Sequence, residues 1–385
     1  MTTTTQRARD WQGPAIFSFG FRPFFLAASG WAAIAMVLWV AALAGAVNLP
    51  TRFDPVTWHV HEFLFGYLGA VIAGFLLTAV PNWTGRLPVV GWPLACLAGV
   101  WLAGRIVVLI SAFVPPAVVA LIDLAFPVAL SAFLLREIIA GKNWRNLIVL
   151  AMLAVFTVAN AVFHTEASFD GFGARLGIGA GVMMISVIGG RIIPSFTRNW
   201  LVKRGVTQLP TPPMQQFDRL TLLATVAVLV AWVIAPTNGV VAVVLGATGA
   251  LHLVRLMRWQ GHQTIAEPLV LVLHLAYAFI PLGAFALALS IFWPAILPVQ
   301  AALHIWTAGA IGLMTLAVMT RATLGHTGQQ LHAGRWTVAI YAALVAAVVM
   351  RLVGQMPMAG AAWIAAFVMF CLVYGPLLLR PATRH

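Results

Sequence analysis

The ten histidines are the residues of this chain best equipped for chemistry, because most of them fall in or beside long apolar runs. An imidazole buried in such a run is costly unless it meets a hydrogen-bonding group, a proton path or a metal. Two open one run together, as Trp58-His59-Val60-His61-Glu62. On a helix, His59, Glu62, Gly66, Gly69 and Ala73 share one face by i,i+3 and i,i+4 spacing, and His61 lies off that stripe unless the helix starts after it. A second run carries a similar stripe of His304, Ala308, Gly312, Thr315 and Met319. Neutral imidazole suits haem iron and copper, and a carboxylate such as Glu62 can orient the ring from behind. A histidine above a groove of small residues leaves room for a flat macrocycle, although the same groove also permits close helix packing.

The elements that must position these residues are membrane helices. Of 385 residues, 62% are hydrophobic and only 8% charged, and the mean hydropathy is +0.97. A water-soluble domain cannot hide so much apolar surface, which excludes a soluble Rossmann enzyme, a nucleic-acid binder and a disordered chain. Twelve segments are long enough to cross a bilayer as helices: 24–47, 58–80, 89–110, 114–139, 145–164, 172–194, 219–236, 239–257, 266–290, 298–320, 335–353 and 358–379. The fold expected is therefore all-α, a polytopic membrane protein with one integral domain over 1–385. The longest connection, 195–218, is polar and holds Pro210, Pro212 and Pro213. The two cysteines, Cys96 and Cys371, imply no disulfide framework. The polar start is unlike a cleavable signal peptide.

The net charge of +13 reports loop topology rather than a nucleic-acid partner. With a cytoplasmic N-terminus, all but Arg52, Arg105, Arg175 and Arg351 of the 22 basic residues fall on the inner side. The positive-inside rule then predicts both termini in the cytoplasm, with 1–20 as a cytoplasmic tail and 195–218 as a cytoplasmic loop. This orientation gathers His59, His61, His164 and His304 in one outer layer with Glu62 and Glu166, and leaves His274 near mid-membrane.

Segments 2 and 10 also repeat one another. His61 and His304 each stand 23 residues before a Thr-Gly pair, and Gly66 and Gly69 align with Gly309 and Gly312. Segment 6 ends Ile192–Thr197 much as segment 2 ends Ala79–Thr84, so a period of four helices, giving three four-helix units, is one reading of the chain. The repeat suggests a haem, of b type, between segments 2 and 10 with His61 and His304 as axial ligands, and with His59 as the alternative to His61. Copper would use histidines that haem does not occupy, His59, His164 and His274 first. Arg321 and His326, at the inner end of segment 10, suit haem propionates or lipid headgroups and equally an interfacial role. Asp123, an acid within segment 4, suits a proton path or a pair with Arg105. Gly173, Gly177 and Gly181 form a helix-packing face.

Several blocks together carry a resemblance: GFRPFF (Gly20–Phe25), WHVHEFLFGYLGAVIAGFLLTAVPNWTG (Trp58–Gly85), GRIIPSFT (Gly190–Thr197), EPLVLVLHLAYAFIPLG (Glu267–Gly283) and HIWTAGAIGLMTLAVMTRATLGHTG (His304–Gly328). The chain resembles the NnrS family along nearly its whole length. The resemblance implies a bacterial inner-membrane protein that binds haem and copper and acts in the response to nitric oxide, with His59, His61, His274, His304 and His326 as the matching histidines. Its small-molecule partner would be nitric oxide or a relative, with a redox partner as a further expectation. A more distant likeness, to the catalytic subunit of haem-copper oxidases, lies in the architecture, but segments 6 and 7 hold no histidine for that superfamily's copper positions. The rival reading is a twelve-helix secondary transporter without a redox cofactor, which Asp123 and the Gly/Pro-broken helices would fit.

Overall fold

A computed structural model describes residues 11–84 and 89–381. Among these, twelve helices are long and apolar enough to span a membrane: α1 (Phe21–Leu43), α2 (Pro55–Pro81), α3 (Trp92–Leu109), α4 (Pro116–Ala140), α5 (Trp144–Glu166), α6 (Phe172–Lys203), α7 (Gln216–Ile234), α8 (Gly239–Met257), α9 (Pro268–Phe292), α10 (Val299–His326), α11 (Arg335–Leu352) and α12 (Met356–Leu379). An apolar surrounding leaves the backbone nothing to bond but itself, so every span closes its hydrogen bonds internally. That constraint also accounts for the largest departure from the expected boundaries. The loop expected over 195–218 is helical as far as Lys203, because α6 runs straight through Pro194. The hydroxyls of Ser195 and Thr197 bond back to the carbonyls of Arg191 and Ile193, which keeps that turn satisfied despite the proline.

Contacts gather the chain into two compact units, one of Met1–Gly177, Ala322–Gln330 and Phe367–His385, the other of Ile178–Arg321 and Leu331–Ala366. They do not divide it by fours. The first unit holds α1 to α5. Its ends are tied by Arg22, a buried residue of α1 whose Nη1 donates to the carbonyls of Leu377, Leu378 and Arg380 at 3.4, 3.0 and 2.5 Å. These are orphan carbonyls at the C-terminus of α12, which a guanidinium satisfies well. Gly173 at the start of α6 packs so closely on α5 that a Cβ there would stand 2.4 Å from the amide nitrogen of Phe163, in keeping with the expected packing role of that glycine face. Glu166 accepts the amides of Phe172 and Gly173 at 3.1 and 2.8 Å and so caps α6.

The repeat in sequence has a backbone counterpart. In α2 the six residues Glu62–Tyr67 form a π-helical stretch, and in α10 the eight residues Ile305–Gly312 do the same. Each begins immediately after the matched histidine, His61 in one and His304 in the other. A π turn is rare and frequently marks a functional site.

Candidate metal centre

The position of His61 is set about two turns earlier, by Asp54. Its Oδ1 accepts the amides of Val56 and Thr57 at 2.9 and 3.1 Å, with Pro55 at the first helical position. Burial alone would raise the Asp54 pKa, but the hydrogen bonds from the Thr57 hydroxyl and from the Thr57 and Val56 amides outweigh it, and the carboxyl titrates below its usual range. Because α2 starts there, before His59, the two histidines diverge. His59 stacks on Trp39 with ring centroids 4.1 Å apart. His61 is fully buried and turns toward α4 and α5.

Five helices, α1 to α5, contribute to the cluster around it. His61 Nδ1 lies 2.9 Å from Glu62 Oε1. Its Nε2 lies 3.2 Å from Asp123 Oδ2 of α4 and 3.2 Å from Asn160 Oδ1 of α5. His164 Nε2, also from α5, is 3.0 Å from the same Asp123 oxygen. Asn160 Nδ2 donates to that oxygen at 2.7 Å. Arg105 of α3 spans both acids: Nη1 donates to the two Glu62 oxygens at 2.8 and 2.9 Å, and Nη2 donates to Asp123 Oδ1. Trp31 Nε1 of α1 completes the Glu62 shell at 2.7 Å. The π turn and Gly66 make room for this arrangement, since a Cβ at Gly66 would stand 2.5 Å from Arg105 Nη1. Trp101 Nε1 donates to the Gly66 carbonyl at 2.9 Å.

Charge counting shows what the cluster lacks. Two carboxylates face one guanidinium, and none of the three side chains is more than 3% exposed. An uncompensated charge in such a place is expensive. Donor counting leads to the same atoms. A carboxylate can only accept, so His61 donates to Glu62 through Nδ1 and keeps its lone pair on Nε2. That lone pair then faces an oxygen of Asp123, which attracts only if a cation stands between them. A proton on His61 is one such cation and a bound metal is another. His61, Asp123 and His164 offer ligand atoms all within 4.8 Å of one another, and no other such trio of His, Cys, Asp or Glu occurs among the described residues. His164 Nδ1 is buried without a hydrogen-bond partner, so the proton of this ring has one satisfied place and one orphaned one. Two imidazoles and a carboxylate form a donor set that suits iron, copper or zinc, and Glu62 behind His61 is the expected orienting carboxylate.

The other expected site residues lie elsewhere. His274 Nε2 is 2.8 Å from Thr197 Oγ1 in the second unit, with its ring against Gly261. His304 lies in the second unit, with its Nδ1 2.6 Å from the Gln300 carbonyl. Arg321 stacks over Phe196 at 4.0 Å, and His326 packs against Phe21 at 5.4 Å. The glycines expected to cradle a macrocycle are covered by side chains: Gly66 by Arg105 and Glu62, Gly309 by Phe279, Gly312 by Trp363 and Leu344. Gly69 faces Phe156 and Phe126 at the distance of ordinary contact. These glycines let neighbouring side chains approach the helix backbone closely. Asp123 and Asn160 are the functional candidates not foreseen as ligand and partner. Asn160 precedes His164 by one helical turn, and that spacing was the available signal.

These features define a class: a polytopic, all-helical membrane protein with a buried His-Asp-His cluster. A family model described as NnrS protein matches residues 15–382. The chain belongs to the NnrS family. No curated protein matches it.

Proposed function

We propose that this chain is a metal-binding protein of the bacterial inner membrane that acts in the nitric oxide response, with a first-row transition metal held by His61, Asp123 and His164. Membership of the NnrS family supports the nitric oxide setting. The observation that carries the site is the convergence of three ligand atoms on a point that needs positive charge. An iron or copper ion bound there would supply an open coordination position for nitric oxide and a one-electron couple. The chain's own contribution is to orient the imidazoles through Glu62, to hold Asp123 ionised beside Arg105, and to keep water out. Purified protein should contain about one such metal per chain. His164→Ala and Asp123→Asn should each lose it, and cells carrying either variant should become as sensitive to nitric oxide as cells without the protein. Full metal content in both variants would end this assignment.

A haem is the second reading, favoured by two observations. His304 Nδ1 is 2.6 Å from the Gln300 carbonyl, which must accept, so the lone pair of this ring is on Nε2. Its place before a π turn matches that of His61. A Soret band in the purified protein that disappears in His304→Ala would support a haem ligated there, and a colourless wild type would exclude it.

A further inference from the structure

In the second unit, α6, α8 and α10 finish at one end, and α7, α9 and α11 begin there. Four arginines at that end each lie over an aromatic ring. Arg321 of α10 stands 4.0 Å from the ring centroid of Phe196 of α6, and Arg204 stands 4.7 Å from Trp200. Arg258 over Phe217 and Arg335 over Trp336 follow at 4.8 and 5.3 Å. None of the four pairs with a carboxylate among the described residues, because the two acids at this end are buried and already engaged. Asp218 accepts Arg255 Nε at 2.7 Å and the Gln215 amide at 3.0 Å. Glu267 accepts the amides of Leu269 and Ala333, both at 3.1 Å, and lies 2.9 Å from His332 Nδ1. The connections at the opposite end, 235–238, 293–298 and 353–355, hold neither acid nor base.

Arg321 differs from an ordinary solvated cation. It is half-buried between α6 and α10, and its guanidinium donors meet no acceptor among the described residues. The Phe196 ring holds the group flat, and a planar fork with free donors matches the oxygens of a phosphate. Its depth narrows the choice of phosphate. A hydrocarbon core takes about 20 residues of helix. Counted from Phe172, that length of α6 ends near Arg191, and counted from Val299, that length of α10 ends near Val318. Both helices therefore leave the hydrocarbon just before the Arg321–Phe196 pair, which puts the pair in the headgroup layer. Trp200 and Arg204 follow Phe196 at i+4 and i+8, along the same side of α6. We propose that Arg321 and Arg204 hold the phosphodiester headgroup of an anionic phospholipid against the edge of α6. A soluble anion would have to descend among the headgroups to meet Arg321, whereas a lipid phosphate already lies there.

Native mass spectrometry of the full-length protein in detergent tests this, with titrations of phosphatidylglycerol and of phosphatidylcholine carrying the same acyl chains. The wild type should hold phosphatidylglycerol the more tightly. Arg321→Gln should weaken that binding by about fivefold and leave phosphatidylcholine unaffected. Arg204→Gln changes an exposed side chain, should weaken it to a similar degree, and serves if the Arg321 variant does not fold. Arg351→Gln, at the far end of α11, should bind as the wild type does. Inorganic phosphate at the same concentration should not displace the lipid; displacement would assign the arginines to a free anion and overturn the lipid site. Equal binding of the two lipids by the wild type, wild-type affinity in both the Arg321 and Arg204 variants, or an equal loss in Arg351→Gln would also overturn it.

Discussion

Arg105 touches both Glu62 and Asp123, so its removal strands two buried carboxylates at once. Breaking a buried pair by deleting one partner typically costs about 3–5 kcal/mol. Arg105→Leu should therefore lower the thermal stability of the purified protein sharply, as measured by a melt in detergent. Arg105→Lys should rescue little, because one ammonium cannot reproduce the fork that spans two acids. At this scale much of the centre was legible. Glu62 was expected behind a histidine ring, and a pair with Arg105 was one of two readings of Asp123, the other being a proton path. The choice between His59 and His61 was not legible, because it turns on where α2 begins. Asn160 was overlooked, since an amide within an apolar run carries no charge to draw notice.

A cap and a π turn fix the phase of α2. Asp54→Ala removes the acceptor for two amides and should cost about 1 kcal/mol. The Asp54 carboxyl titrates lower in the folded protein than its unfolded value near 3.9, so its contribution is complete above that pH and is lost as pH falls through the folded pKa. Solvent screening keeps this increment small. The variant should accordingly melt lower than wild type at neutral pH, and the difference should shrink in acid. The π turn is the sterner test. Deleting Leu64 should restore a regular helix and rotate the residues on one side of the deletion relative to the other, which separates His61 and Glu62 from Gly66. Loss of metal with retained membrane insertion is the expected result, from metal analysis of the membrane fraction. Hydropathy located all twelve spans, since each is long and apolar. It carried no sign of the π turns, because one extra residue in a helical turn leaves composition unchanged. The only trace was the common spacing of His61 and His304.

For the whole molecule, the basic residues predict the orientation of the twelve spans. A reporter fused after His385 should be active in the cytoplasm and silent in the periplasm, as an assay of paired fusions would show; the reverse would turn the proposed metal centre to the cytoplasmic side. The division into two units was not legible in sequence, because three of its four boundaries fall inside α6, α10 and α12 and only the one after Gln330 falls in a connection. Polar linkers mark domains in soluble chains, whereas continuous apolar helices conceal such boundaries here.

The tie between Arg22 and the last helix also sets a schedule for biogenesis. The partners are 355 residues apart, and synthesis at about 5–20 residues per second needs roughly 20–70 s to bridge that interval. Throughout that time a guanidinium near the start of the chain lacks the carbonyls that finally receive it. The first unit can therefore reach its finished form only after the ribosome has released nearly the entire chain, and truncation before Leu377 should leave an inserted but unfinished protein exposed to membrane proteases.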